Sequence, residues 1–175
     1  GLACQEGVGA VGAKLLYPNG NIQHAGVVLG LGGVAGHAFK LLPGTEPGYH
    51  HRAQLTCSYS AVTAACLIIR KETYQDVGGF EENNLMVAFN DIDFCIRLRE
   101  AGFRNVWSPH ALLYHHESAT RGHEDTKEKL ARFDKEVRFM QKRWGRMLLE
   151  DPCYSSNLTL NYEDFSYAWP PRTTR

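Results

Sequence analysis

The segment NDIDFCIRLREAG, residues 90–102, carries the clearest local pattern in the chain, and the neighbouring elements can be arranged around it. Its apolar residues recur at helical spacing and Gly102 supplies a helix stop, so the segment predicts an amphipathic helix capped by Asn90. Asp91 and Asp93 lie in the first turn. They allow three interpretations: a carboxylate pair that binds a metal ion, one catalytic base with a structural neighbour, or an acidic first turn favoured by the helix macrodipole.

The two aspartates differ in their sequence surroundings. Residues two apart on a helix diverge by about 200°, so a shared metal ion is the least favoured of the three interpretations. Asp93 lies four residues before Arg97 and can form an ion pair with it, which gives Asp93 a structural role. A structural role accounts less well for Asp91, because Asn90 already caps the helix and an acid at a helix start beside a Gly-Gly-aromatic turn is well placed to face a ligand.

Apolar runs on the N-terminal side of this helix predict a sheet. Residues 10–17 and 22–30 are separated by an Asn-Gly turn and predict a β-hairpin. Residues 30–47 are rich in Gly and Pro, and they predict a loop. Residues 59–70 form a nearly continuous apolar run, which predicts a central strand covered on both faces.

Further helices and short strands complete the predicted fold. Residues 72–76 predict a short helix that a Gly-Gly pair ends, and residues 124–145 predict a charged amphipathic helix. Between the two, RNVWSP and ALLYHH predict two short extended segments. We therefore expect an α/β protein. Its expected units are a domain over residues 1–145 and an extended tail over residues 146–175 that packs on this domain.

Composition and charge exclude several classes of protein. Lys plus Arg and Asp plus Glu are balanced at 19 each, so no net field attracts nucleic acid and we expect no such partner. The five cysteines lack C-x-x-C spacing, which predicts reduced thiols in a cytoplasmic protein. The longest apolar run, residues 60–69, is too short to span a bilayer. The chain begins without Met in a strand-like stretch, so we expect it to be a piece of a longer protein.

A polar cluster follows the last predicted strand. His115 and His116 end that strand, and Glu117, Ser118 and Arg121 follow within one short loop. These side chains suit a metal ion or a phosphate, although a histidine at a strand end is often a structural group instead. We treat the remaining histidines as structural or solvated: His24, His37, His50, His51, His110 and His123.

Several segments in this order resemble one known family. They are VGAVGAKLLYPNGNIQHAGVVLG, SAVTAACLIIRKETYQDVGGFEE, FNDIDFCIRLREAGFRNVWSPHALLYHHESATRG and DPCYSSNLTL. Together they are similar to the C-terminal half of bacterial family-two glycosyltransferases with the GT-A fold, of the type that builds O-antigen and other surface polysaccharides. The resemblance implies a mixed sheet with flanking helices, and an inverting transfer of sugar from a nucleotide-sugar donor to a glycan or lipid-linked acceptor.

The resemblance also implies roles for individual residues. Asp91 matches the carboxylate base that activates the acceptor hydroxyl, and Asp93 becomes its structural neighbour. His115 matches a histidine that reaches the divalent cation, Mn or Mg, at the donor diphosphate, and Arg121 lies in a loop that can cover that diphosphate. The residues that would border the acceptor are Gly78, Gly79, Phe80, Glu81 and Asn90.

The family pattern places a nucleotide-binding half with a D-x-D metal motif before residue 1. The resemblance therefore implies that the segment alone lacks transferase activity, and that the whole enzyme is cytoplasmic or peripheral at the inner face of the bacterial membrane. Two alternatives remain open. One is a non-catalytic carbohydrate-binding or interaction module, and the other is a metal-dependent hydrolase that uses Asp91, Asp93, His115 and His116.

Overall fold

The computed structural model describes residues 1–116 and 126–172. Within these residues the chain forms a mixed α/β structure with helices on a curled sheet. The strands are β1 (Val8–Leu16), β2 (Ile22–His24), β3 (Val27–Leu29), β4 (Ala35–His37), β5 (Cys57–Tyr59), β6 (Leu67–Ile68) and β7 (Arg104–Tyr114). The helices are α1 (Lys71–Asp76), α2 (Asn90–Glu100) and α3 (Lys127–Leu149).

Two long parallel strands form the centre of the main sheet. β1 pairs with β7 from Val8 opposite Arg104 to Leu16 opposite Tyr114. On the other edge of β1, β6 pairs antiparallel with its middle and β2 with its C-terminal end, and β5 pairs antiparallel with β7. β3 and β4 pair with each other in a separate small sheet. α2 packs against β1 and β7, so its first turn is fixed relative to the centre of the sheet.

The predicted hairpin is confirmed, but its second strand is split. β1 and β2 pair through Leu15 opposite His24. The chain then breaks at Gly26, whose φ of 100° favours glycine, and a Cβ there would lie 2.4 Å from the ring of Tyr59. After this break β3 leaves the main sheet and pairs with β4. Because β4 lies inside the predicted loop of residues 30–47, that loop prediction was wrong in part.

The central strand predicted over residues 59–70 was wrong. β5 ends at Tyr59, the chain crosses over β1, and a short 3₁₀ turn at Ala64–Cys66 leads into the short β6. The crossing is close, because a Cβ added to Gly12 would lie 2.6 Å from Val62. Small side chains in this run permit the close approach. Residues 59–63 are buried, whereas the run is partly or fully exposed from Ala64 onward, with Ile68 63% exposed.

The two extended segments predicted before His115 form one strand. β7 runs through both of them, with an irregular register where Ser108 opposes Ala13 and Leu112 opposes Lys14. The first half of β7 is mostly buried, whereas its last five residues are exposed. Proline at position 109 cannot donate a ladder hydrogen bond, which accounts for an irregularity at this place.

The helices match their predicted positions, with corrections at their ends. α2 is not capped by Asn90, which is its first helical residue; the preceding Phe89 is the cap and has left-handed φ and ψ of 63° and 4°. α3 continues four residues beyond Gly145, the predicted stop, because the burial of Leu148 holds its last turn against the protein. At its start, Thr126 caps α3 by accepting a hydrogen bond from the N–H of Lys129.

The segment after α3 packs on the core. Asp151 is buried and accepts hydrogen bonds from the N–H groups of Leu29 and Cys153, both at 2.7 Å, and from the hydroxyl of Ser60. Farther along, the ring of Phe165 stacks on Phe39 at 4.5 Å. The tail therefore joins parts of the fold that are distant in sequence.

All five cysteines lie in the part of the chain that the structure describes, and each has a free thiol. Among the helices of residues 1–116 and 126–172, none combines the length and the apolar character that a bilayer span needs.

Candidate functional site

A cavity of about 630 Å³ opens at the start of α2. Three of the residues singled out in the sequence, Asn90, Asp91 and His115, lie in its wall. Other parts of the wall come from segments far apart in the chain. They include Tyr17 and Gln23, the segment from Val34 to His37 with Lys40, Thr63 and Ala65, the loop Val87–Phe89, Phe133 and Val137 of α3, and Glu163 of the tail.

Backbone donors fix the carboxylate of Asp91. Its Oδ2 accepts a hydrogen bond from the N–H of Ala64 at 2.9 Å, and its Oδ1 accepts one from the N–H of Ile92 at the same distance. A carboxylate offers about four lone-pair sites, so these two bonds leave capacity to accept a proton or a further hydrogen bond. Asp91 is partly exposed in the cavity wall, where a ligand hydroxyl can reach it.

Asp93 has a different environment. Its side chain is fully buried, and it accepts hydrogen bonds from Arg97 Nε at 2.8 Å and from the indole Nε1 of Trp144 at 2.9 Å. Arg143 lies 3.3 Å from the same carboxylate. The predicted ion pair with Arg97 is thus confirmed, and these donors occupy the carboxylate away from the cavity.

This arrangement contradicts the metal-dependent hydrolase that the sequence left open. That alternative needs Asp91, Asp93, His115 and His116 to converge on one ion. All four belong to the described residues, and within those residues no three His, Cys, Asp or Glu side chains are placed to hold a metal ion together.

Gln23 orients two histidines in the cavity wall. Nδ1 of His115 lies 2.7 Å from Gln23 Oε1, and Nδ1 of His37 lies 2.7 Å from the backbone oxygen of Gln23. A carbonyl oxygen can only accept, so in the neutral rings Nδ1 carries the proton and Nε2 is left to bind a ligand. Histidines that bind metal ions commonly donate their other ring N–H to an oxygen in this way. His115 therefore fits a role toward a divalent cation.

His37 is a wall residue that the sequence did not single out. It lies in a Gly-rich stretch without polar company, and the wall position depends on the pairing of β4 with β3. His24 lies behind it, with ring centroids 4.8 Å apart. Burial, and then the neighbouring His37, lower the pKa of His24 well below its ordinary value, so His24 is neutral. Its Nε2 accepts a hydrogen bond from the N–H of Thr63.

The predicted acceptor segment, Gly78–Glu81, borders a separate surface depression beside Tyr74 and not the cavity of Asp91. Arg97 donates to the carbonyl oxygens of Val77 and Gly79 and so ties this segment to Asp93. Glu81 accepts hydrogen bonds from the N–H groups of Asn84 and Asn83, which lower the pKa of its carboxyl group. Arg121 lies outside the described residues.

Backbone strain accompanies the cavity. Phe39, Phe89 and Phe165 have positive φ values of 59°, 63° and 64°, a conformation that costs bulky residues free energy. Phe89 is itself a wall residue, and Phe39 and Phe165 lie within two residues of the wall residues Lys40 and Glu163, respectively. Strain that persists in a fold is more common at functional sites than elsewhere, which favours this cavity as the site.

Comparisons with known proteins give relatives of much greater length. The chain is 58% identical over 169 residues to an uncharacterized protein, y4gI, of Sinorhizobium fredii. The aligned part covers 97% of the chain and 19% of that protein. The chain is 39% identical over 158 residues to the O-antigen biosynthesis protein RfbC of Myxococcus xanthus, covering 90% of the chain and 12% of that protein.

A shorter match involves a named transferase. The chain is 34% identical over 61 residues to the N-acetylglucosaminyl-diphospho-decaprenol L-rhamnosyltransferase of Mycobacterium tuberculosis. The aligned part covers 35% of the chain and 20% of that protein. The chain thus spans about a fifth or less of the length of these three relatives. No protein-family model matches the chain, and no solved structure matches it.

Proposed function

We propose that the chain is the acceptor-side part of an inverting, GT-A type glycosyltransferase that acts in bacterial surface polysaccharide synthesis, with Asp91 as its general base. One observation carries the proposal. Of the two aspartates in the motif, Asp91 lies in the cavity wall with its carboxylate held by two backbone N–H groups, while Asp93 is buried in an ion pair. The names of two relatives, an O-antigen biosynthesis protein and a rhamnosyltransferase, support the same class of reaction.

In the proposed reaction, a hydroxyl group of a glycan or lipid-linked acceptor gives its proton to Asp91. The acceptor oxygen attacks the anomeric carbon of a nucleotide-sugar, and the bond from that carbon to the diphosphate oxygen breaks. The nucleoside diphosphate leaves with the electron pair, and the configuration at the anomeric carbon inverts. The fixed orientation of Asp91 favours this step, because a positioned base avoids the entropic cost of finding its geometry.

A divalent cation, Mn or Mg, would neutralise charge on the leaving diphosphate when bound. His115 would help to hold it through Nε2, since its Nδ1 is already occupied by Gln23. Asn90, the neighbour of Asp91 in the cavity wall, would border the acceptor.

Substitution of the base tests the proposal. In the full-length protein, Asp91→Asn should reduce sugar transfer by about 10²- to 10⁴-fold, the range for loss of a general base, while donor binding remains. Asp76→Asn, an exposed aspartate at the end of α1, is the matched control and should transfer sugar normally. Transfer by Asp91→Asn within a few-fold of the unsubstituted protein would refute the assignment. A glycan-binding protein without transfer would instead support the binding-module alternative.

A further inference from the structure

Glu136 is a buried acidic residue on α3 that the proposed mechanism does not use. Its side chain is 2% exposed. Oε1 accepts a hydrogen bond from the N–H of Val87 at 3.1 Å, and Oε2 accepts one from the N–H of Ala88 at 2.8 Å. Both oxygens therefore bind the backbone of a loop 48 or 49 residues earlier in the chain.

That loop leads directly into the first turn of α2. Phe89, which follows Ala88, has the left-handed conformation. Its carbonyl oxygen accepts a hydrogen bond from the N–H of Asp93 at 2.9 Å. The ring of Phe89 also contacts Phe133, three residues before Glu136 on α3, with centroids 5.5 Å apart. The loop is thus attached to α3 by a polar and an apolar contact, at the point where a strained residue turns the chain into the helix.

A generic packing role does not account for an acid at this position. A buried carboxylate costs free energy unless hydrogen bonds compensate it, and an apolar residue between Phe133 and Met140 would pack against the core without this cost. The compensation comes from the two backbone donors and from the Arg132 guanidinium, whose Nε lies 3.9 Å from Oε1 of Glu136. The two donors belong to the residues three and four positions before Asp91.

We infer that Glu136 is a positioning residue for Asp91, and this inference rests on the proposed function. By binding two consecutive N–H groups, Glu136 fixes the loop Val87–Phe89 and with it the direction in which α2 begins. The carboxylate of Asp91 then lies in the cavity wall without further adjustment. Loosening this loop would move the base relative to the acceptor and leave the remainder of the fold in place.

Glu136→Gln in the full-length protein tests the inference, because the amide keeps the shape but turns an NH₂ group toward one of the two backbone donors. We expect kcat to fall by about tenfold to a hundredfold, the loss that a misplacement of about 1 Å can cause, with KM for the donor changed less than twofold. The control is Asp134→Asn, an exposed acid on the same helix, which should leave kcat unchanged. A purely structural role would lower the melting temperature and leave kcat per folded molecule unchanged.

A second measurement does not depend on whether this variant folds. In the unsubstituted protein, the amide protons of Val87 and Ala88 should exchange with solvent as slowly as those within α3; exchange at the rate of an open loop would overturn the inference. The two proposals also fail separately. Normal transfer by Asp91→Asn refutes the proposed function, whereas an inactive Asp91→Asn together with normal kcat in Glu136→Gln refutes only the positioning role.

Discussion

Asp93 illustrates what a fully buried carboxylate requires of its neighbours. Arg97, Trp144 and Arg143 supply donors from two helices, and Arg97 extends the network to the carbonyl of Gly79. These contacts join α2, α3 and the turn after α1. The acid thus acts as the centre of a structural junction in the same turn of α2 as Asp91, but on another side of the helix.

Asp93→Asn should therefore cost stability. The amide leaves the Arg97 guanidinium without its counter-charge and presents an NH₂ group to donors, while Arg143 keeps only Glu81, 3.9 Å away. Loss of one partner of a buried ion pair costs about 3 to 5 kcal/mol. Urea denaturation of the isolated chain measures the change, with Asp76→Asn as the control at an exposed site. A loss below about 1 kcal/mol would show that the junction does not hold the helices together.

His24 predicts how stability depends on pH. Its pKa is lowered in the folded protein by burial, and then by His37, whereas the unfolded chain titrates near 6.5. The neutral ring of His24 therefore contributes fully to the free energy of unfolding above pH 6.5. This contribution is lost as the pH falls from there toward the pKa of His24 in the folded protein, because only the unfolded chain then binds the proton. The slope of one such group is about 1.4 kcal/mol per pH unit.

Urea denaturation between pH 7 and pH 5 measures this slope. His24→Gln should flatten the dependence, whereas His110→Gln, at an exposed position, should leave it unchanged. An equal slope in His24→Gln and the unsubstituted protein would assign the pH dependence to other groups.

The different environments of Asp91 and Asp93 could be anticipated from the sequence, because helical geometry and the spacing to Arg97 are local. The wall position of His37 could not, because it depends on the pairing of β3 with β4 and on a carbonyl of Gln23. The contact of Glu136 with the loop before α2 could not be anticipated either. Arg132 lies four residues before Glu136 and is visible as a partner in the sequence, whereas the two loop partners are backbone N–H groups, which have no sequence signature.

At the scale of elements, apolar runs located the first strand correctly but did not predict the direction of the later run, whose second half is also partly or fully exposed. Residues 10–17 form a strand as predicted, whereas residues 59–70 are equally apolar and cross the sheet through Ala61 and Val62 instead. The difference depends on Gly12, where the absence of a Cβ gives Val62 its room. Such a contact involves residues 50 positions apart, so a local pattern cannot reveal it.

α3 offers a stabilising substitution at the element scale. Gly145 lies inside the helix, and a Cβ added there meets nothing within 4 Å. Gly145→Ala should raise the free energy of unfolding by about 0.8 to 1 kcal/mol, the difference in helix propensity. Urea denaturation tests it, with Gly12→Ala as the opposite case because its Cβ would overlap Val62. Destabilisation by Gly145→Ala would mean that the helix breaks at this residue in solution.

At the scale of the whole molecule, the tail connects parts of the fold that are distant in the sequence. Asp151 binds the backbone of Leu29 and the hydroxyl of Ser60, and the guanidinium of Arg172 donates to the carbonyl oxygens of Leu149, Ser155 and Leu158. Burial raises the pKa of the Asp151 carboxyl group, while its hydrogen bonds act in the opposite direction.

Asp151→Ala should release this connection. It leaves the buried N–H of Leu29 without its acceptor, at a cost of about 1 to 3 kcal/mol, and the tail should become sensitive to limited proteolysis before the rest of the chain. Asp164→Ala, at an exposed tail position, provides the comparison and should keep the tail resistant. If both variants were equally resistant, the tail would be held by its aromatic contacts and not by Asp151.

The parallel pairing of β1 with β7 has a consequence for the order of events during synthesis. Val8 pairs with Arg104, which is synthesised almost a hundred residues later, so the two central strands cannot pair until that part of the chain has been made. At typical rates of about 5 to 20 residues per second, the apolar β1 leaves the ribosome about 5 to 20 seconds before its partner. A nascent chain of this kind exposes an unpaired apolar strand throughout that interval, and such a segment is prone to aggregate until its partner is made.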